Sequence, residues 1–374
     1  MATRVLKIDR GASNDEAIRE AASVLSLGGL VAFPTETVYG LGVNVADGAA
    51  LARLRKVKGR PSDKPFTLHI AHRDRLADFV PDLSALGGRM VAKGWPGPVT
   101  FVFPVEAPLE APAMKNLNPD RVEEIYYENT VGIRCPDDQV AIALLTLADV
   151  PVVASSANLA GKPPPHSADD VLRDLDGRID LVLDAGHARY AKPSSVVRLN
   201  ANGYELLREG VYDERTLRRL AMLNFLFVCT GNTCRSPMAE GICKRVLAEK
   251  IGCDVQALPD HGIEVRSAGA FAANGAPPSS EAVHVMKEAG IDISRHESQA
   301  LTIELMNQAD YAFGMTEAHL EAMIRMVPSA KERVTKLSSD GNIADPVGMD
   351  DDVYRQCADQ IRQAVQERIA KVPL

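Results

Sequence analysis

The chain has 374 residues, 46% of them hydrophobic and 25% charged, with a formal net charge of −8. This is the balance of a globular protein of two domains, and it excludes a disordered, collagenous or coiled-coil chain. Split at Leu223, the first part carries 27 Lys+Arg against 29 Asp+Glu, net −2, and the second 15 against 21, net −6, so neither part is a duplex-coating nucleic-acid binder held by its overall field.

No apolar run is long enough to cross a bilayer, and Met1 to Arg10 lacks the apolar core of a secretory signal. A cytoplasmic protein with no membrane partner is expected. Among the six cysteines only Cys229 and Cys234 are closely spaced, which does not read as a secreted disulfide framework.

In chain order, residues 15–27 read as a helix ended by Gly28-Gly29, and residues 30–33 as a short buried strand stopped by Pro34. A helix is expected over 48–58, and strands over 66–70, 99–103, 131–134, 152–154, 181–183 and 195–199. This is a mixed α/β domain. Residues 209–222 turn charged and helical. Beyond them strands at 225–228, 263–266 and 311–314 alternate with helices at 237–250, 280–289, 317–324 and from Val353 on, which implies a doubly wound parallel sheet. The expected division is a domain over 1–210, a linker over 211–222 and a second domain over 223–374.

Cys229-Thr230-Gly231-Asn232-Thr233-Cys234-Arg235-Ser236-Pro237 sets Cys-x5-Arg-Ser between a buried strand and a helix opened by proline. Such a loop turns successive backbone N–H groups toward one spot, and the helix N-terminus adds positive partial charge, making a cradle for a phosphoryl dianion. Gly231 is expected to permit the tight curvature. A cysteine at the mouth of that cradle is favoured as thiolate, so Cys229 is the nucleophile expected. Arg235 offers the bidentate fork that steadies the transferring phosphoryl group, and Ser236 a hydroxyl for the departing thiolate.

The run from Phe227 to Glu240 resembles the signature of the low-molecular-weight protein tyrosine phosphatases, and the similarity continues to the end of the chain. The resemblance implies a four-stranded parallel-sheet domain, a metal-free and cofactor-free phosphatase acting on phosphorylated proteins, and a general acid in an Asp-Pro pair, matched by Asp345-Pro346. Thr233 is similar to the bacterial protein-arginine phosphatases of this family, where tyrosine-specific members carry an aliphatic residue. Val347 departs from the bulky residue of many members. Cys234 is expected to form a disulfide with Cys229 under oxidation or to serve a structural role. Tyrosine specificity and arsenate reduction are the alternatives; the second needs a further cysteine pair, and residues 313–337 have none.

In the first part, a cluster of Lys56, Lys58, Arg60 and Lys64 held by Pro61 and Pro65 suggests an anion site, and His69, Arg134 and Ser155-Ser156-Ala157-Asn158 bring polar groups to strand ends, where α/β sheets place ligands. No Gly-x4-Gly-Lys-Ser/Thr loop exists. The runs from Pro34 to Leu41, Lys58 to Pro65, Trp95 to Pro98 and Ser155 to Asn158 together resemble the threonylcarbamoyl-AMP synthase (YrdC-like) family, from about Asp15 to Gly210. The resemblance implies a twisted mixed α/β domain that condenses L-threonine, bicarbonate and ATP with Mg²⁺ into threonylcarbamoyl-adenylate for modification of tRNA. On that resemblance Lys58, Arg60, Ser62, Thr130, Ser156, Asn158 and Arg208 hold ATP, and Thr35, His69 and Arg134 hold threonine. Partners expected with it are tRNA or tRNA-modification proteins. Ala191-Lys192-Pro193-Ser194-Ser195 departs from the family's Gly-x-Pro-Ser-Thr. A noncatalytic RNA-binding module is the alternative, and the cation cluster has only Phe66 near it for stacking.

Overall fold

In a computed structural model, residues 2–11, 14–59, 65–117, 122–200 and 203–374 are described. The chain divides into two compact units, Met1–Leu220 and Ala221–Leu374. Residues 211–222, read from the sequence as a linker, hold helix Glu214–Ala221, whose Leu217 is fully buried. The first compact unit runs on to Leu220, inside that stretch.

Among the described residues the first unit is built on ten strands: β1 (Arg4–Lys7), β2 (Val31–Phe33), β3 (Gly40–Asn44), β4 (Thr67–His69), β5 (Val99–Pro104), β6 (Thr130–Arg134), β7 (Val152–Ser156), β8 (Leu181–Asp184), β9 (Ser195–Leu199) and β10 (Tyr204–Arg208). Their order across the sheet is β1-β8-β2-β3-β7-β4-β6-β5-β9-β10. Pairing is mixed: β1 with β8, β8 with β2, β4 with β6 and β5 with β9 are parallel, and the other neighbours are antiparallel. Strand β3, like β1 and β10, is an addition to the strands read from sequence. Its Gly40 and Gly42 leave room for the Phe33 ring, which a Cβ would approach to 3.3 Å and 2.9 Å respectively. Helices Asp15–Ser26 and Gln139–Ala148 turn Leu25, Ala141 and Leu144 onto Val31, Phe33, Val152 and Leu181 of the sheet. Asp47 and Asp138 cap helices Gly48–Lys58 and Gln139–Ala148 by accepting from backbone N–H groups of the first turn.

The second unit carries β11 (Leu223–Cys229), β12 (Ile263–Gly269), β13 (Tyr311–Gly314) and β14 (Val334–Lys336), all parallel in the order β12-β11-β13-β14. The side chains of β11 alternate between two cores, as a period of two requires. Leu223, Phe225, Phe227 and Cys229 join Met238, Ile242, Tyr354 and Ile361. Leu226 and Val228 join Met306, Met323 and Val327 on the other face. Helices Arg235–Ile251 and Asp351–Ala370 thus cover the face that ends in Cys229, and the doubly wound reading holds. Strand β14, three residues long, is an addition to the strands read from sequence.

Candidate active sites

In the first unit one face of the sheet floors a cavity of about 620 Å³. Thr35, His69, Thr130, Arg134, Ser156 and Arg208, six of the residues expected to bind substrate, line it. At one end Arg134 Nη2 donates to Thr37 Oγ1 at 2.6 Å and to Thr35 Oγ1 at 3.3 Å. It also faces Glu36 Oε1 at 3.0 Å, with both side chains buried, although neither Glu36 oxygen has a hydrogen-bond partner among the described residues. His69 donates from Nδ1 to the Thr67 carbonyl at 3.0 Å. Burial, followed by the Arg134 charge, pushes its pKa down to about 3, so the ring is neutral and Nε2 is an acceptor.

At the other end Thr130 Oγ1 donates to the Tyr127 carbonyl at 2.8 Å, and Arg208 donates from Nη2 to the Ser194 carbonyl at 2.8 Å. Lys58 does not line the cavity. It is buried, and its Nζ donates to the carbonyls of Ser156 and Asn158 and to Asn158 Oδ1, so it braces the turn that carries both residues. Ser156 Oγ donates to Asn158 Oδ1 at 2.6 Å, which turns Asn158 inward as well. Arg60 and Ser62 lie outside the described residues.

Sequence reasoning gave no role to Ser194 and Glu36, and marked Ser155 only as a polar residue at a strand end. Ser155 lines the cavity with its Oγ buried and without a hydrogen-bond partner among the described residues. Ser194 lines it between Thr100 Oγ1, at 3.2 Å, and Arg208. Glu36 supplies the buried countercharge to Arg134. Period-two alternation along β7 points Ser155 and Ser156 to opposite faces, so nothing local marks both as facing ligand; the strand end lets both reach the cavity.

In the second unit Cys229 closes β11 and Arg235 opens the helix. Cys229 Sγ accepts from the Asn232 N–H at 3.2 Å and lies 3.0 Å from Ser236 Oγ. The N–H groups of Gly231, Thr233 and Cys234 find no acceptor among the described residues, which leaves them for a phosphoryl group. The curvature was expected at Gly231, but the left-handed residue is Asn232, at φ 56°. Asn232 tolerates that conformation because its amide is fully engaged: Nδ2 donates to Ser236 Oγ and Ser267 Oγ, both at 2.9 Å, and Oδ1 accepts from Gln299 N–H at 2.8 Å. The glycine the cradle does require is Gly269, where a Cβ would stand 2.6 Å from the Thr230 carbonyl.

Arg235 is buried, donates to the Ile343 carbonyl at 3.2 Å, and pairs with Asp345, whose carboxylate is about half exposed at the mouth. His319 Nε2 lies 3.0 Å from Thr230 Oγ1, and its Nδ1 2.9 Å from Thr316 Oγ1. Burial, followed by the Arg235 charge, pushes the His319 pKa down to about 4. Cys234 is a free thiol 3.3 Å from the Tyr354 hydroxyl and 3.4 Å from Ser279 Oγ. Thr233, partly buried, has its Oγ1 3.6 Å from Cys234 Sγ. Two exposed apolar side chains sit on residues hydrogen-bonded to the site. Val347 follows the Asp-Pro pair, and Phe271, which sequence reasoning missed, is held by its N–H to the Thr230 carbonyl at 3.0 Å.

Residues 23–210 match the Sua5/YciO/YrdC family model, described as telomere recombination, and residues 224–373 match that of the low molecular weight phosphotyrosine protein phosphatases. The chain is 37% identical over 193 residues to the threonylcarbamoyl-AMP synthase of Pyrococcus abyssi, covering 52% of this chain and 54% of that protein. It spans only about half the length of such relatives. It is 38% identical over 151 residues to a protein-arginine-phosphatase of Geobacillus stearothermophilus, covering 39% of this chain and 93% of that protein. A solved structure of a doubly substituted Sua5 from P. abyssi superposes with a TM-score of 0.51 at 25% identity, covering 71% of this chain and 91% of that one. The chain belongs to the Sua5/YciO/YrdC family through its first unit and to the low-molecular-weight phosphatase family through its second.

Proposed function

We propose that the chain is a bifunctional enzyme: an ATP-dependent threonylcarbamoyl-AMP synthase joined to a cysteine-dependent protein phosphatase with a preference for phosphoarginine. The observation that carries the first half is the pairing, in one cavity, of the Arg134 guanidinium with a neutral His69 and the Thr35 hydroxyl. Such a trio suits an amino acid: the guanidinium takes the α-carboxylate, and the acceptors take hydroxyl and amine protons. The amine of L-threonine and bicarbonate form a carbamate with loss of water. A carbamate oxygen then attacks the α-phosphorus of ATP, and pyrophosphate leaves. Thr130, Ser156 and Arg208 hold the nucleotide with Arg60 and Ser62, and Lys58 and Asn158 act through the turn they brace. Mg²⁺ enters as the nucleotide's counter-ion; among the described residues no group of three or more His, Cys, Asp or Glu gathers to hold a metal. The product serves adenosine modification in tRNA, in the cytoplasm. Pyrophosphate release that needs both L-threonine and bicarbonate is the expected result, and release unaffected by omitting threonine refutes it.

For the second half, the carrying observation is the Cys229 sulfur held by an amide N–H and a hydroxyl beside a buried arginine. The thiolate attacks phosphorus, the bond from phosphorus to the leaving nitrogen or oxygen breaks, and Asp345 gives that atom its proton. Asp345 then takes a proton from water as it attacks the thiophosphate; the sulfur–phosphorus bond breaks, and Ser236 donates to the departing thiolate. Binding of the phosphoryl group releases Arg235 from Asp345, so that the acid is freed as the substrate arrives. Thr233 in the cradle loop and the name of the G. stearothermophilus relative favour phosphoarginine. Hydrolysis of matched phosphoarginine and phosphotyrosine peptides tests this, and equal rates or a tyrosine preference refute it.

A further inference from the structure

The floor of the first unit's cavity contains a glycine that the fold does not need. Gly132 sits in the middle of β6, flanked by Thr130 and Arg134, which line the same cavity. Glycine inside a strand weakens it, through lost chain entropy and a missing side chain, and is usually retained for a tight bend or a close approach. Neither holds for the protein alone. Gly132 is not among the residues with positive φ. Among the described residues, a Cβ there would meet nothing nearer than Thr100 Cγ2 and Val102 Cγ2, at 3.9 Å, and Thr67 Oγ1, at 4.0 Å, which is ordinary contact or open space. Gly42 and Gly269 are different, because a Cβ at either would collide with a ring or a carbonyl.

Those three neighbours all line the cavity, so the missing methyl would project into it. Gly132 lies two residues from Arg134, at the amino-acid end, and two from Thr130, at the nucleotide end. One residue of strand rises about 3.3 Å, so each end is about 7 Å away. That midpoint is where an adenylate spanning both ends places its acyl-phosphate and ribose.

Resting on the synthase reading, we infer that Gly132 is a specificity-determining position, whose bare backbone makes room for the phosphoryl–ribose segment of the adenylate. The occupant, and not the fold, excludes a side chain there.

Gly132→Ala tests this, with three measurements on the full chain. The melting temperature of the first unit is followed by fluorescence of Trp95, the one tryptophan in the chain, which packs on Phe101 of the neighbouring strand. L-Threonine and ATP affinities are measured by calorimetry, and threonine-dependent pyrophosphate release gives turnover. Expected are an unchanged or raised melting temperature, unchanged threonine affinity, and ATP affinity and turnover reduced roughly tenfold or more, as for a methyl forced into a filled space. A lower melting temperature, or wild-type ATP affinity and turnover in the variant, overturns the inference. If the wild-type chain binds ATP but releases no pyrophosphate, the synthase reading falls, and the variant's ATP affinity still decides the role of Gly132. A wild-type chain that binds no ATP overturns both.

Discussion

Replacing Asn232 by alanine should separate the two things this residue does for the phosphate cradle. It is fully buried, and its side chain donates to Ser236 and Ser267 and accepts from the Gln299 N–H, while its backbone is held at φ 56°. Losing three hydrogen bonds at ~1 kcal/mol each costs ~3 kcal/mol. Alanine in the left-handed region adds ~1 kcal/mol, a cost that glycine escapes. Asn232→Ala should therefore lower the stability of the second unit by ~4 kcal/mol and Asn232→Gly by ~3 kcal/mol. Both variants free Ser236, which lies against the Cys229 sulfur, so kcat for p-nitrophenyl phosphate should fall while KM changes little. Because Trp95 lies in the first unit, stability is read by hydrogen exchange of β11 and of helix Arg235–Ile251, and rates by steady-state kinetics. Retention of wild-type kcat by Asn232→Ala, or equal stability of the two variants, would refute the reasoning.

Glu36→Gln leaves the buried Arg134 without its countercharge; removing one partner of a buried pair typically costs about 3–5 kcal/mol, and saturating L-threonine should restore part of the loss through its carboxylate. Thermal melts of the first unit with and without threonine check this, and a variant as stable as wild type contradicts the pairing. Acid should also weaken each unit before general acid denaturation. The folded pKa values of His69 and His319 lie near 3 and 4, below the ordinary value of 6.5. The unfolded chain therefore binds protons first, and the stability each neutral ring contributes is complete above pH 6.5 and is lost as pH falls toward its folded value. His319→Asn should flatten that dependence for the second unit between pH 6.5 and about 4, measured by hydrogen exchange, and an unchanged slope rejects the assignment.

Much of the second unit was legible because its information is local. Phe225 to Val228 alternates between two cores, Cys229 to Pro237 contains the strand end, the loop and the helix start, and the pattern needs no distant partner to be read. The Asp-Pro pair was legible by resemblance alone; a turn residue near the chain's end is not marked by its neighbours as one that meets Arg235. In the first unit the helix 15–26 and most strands followed from periodicity, but β3 did not. A Gly-Leu-Gly-Val-Asn run has weak strand character, and what makes it a strand is Phe33 lying over its two glycines and β7 pairing along its other edge.

The sequence by itself pointed to the two families, most of the strands and the strand–loop–helix run from Phe225 to Pro237, because each is written in contiguous residues whose spacing sets their direction. Only the tertiary structure decided which atoms meet. It turned Lys58 onto the Ser156–Asn158 turn instead of the cavity, set Glu36 against Arg134, and moved the strained residue of the cradle from Gly231 to Asn232. Those choices depend on burial and on partners up to about a hundred residues away, where a charge or an amide settles on whatever satisfies it best.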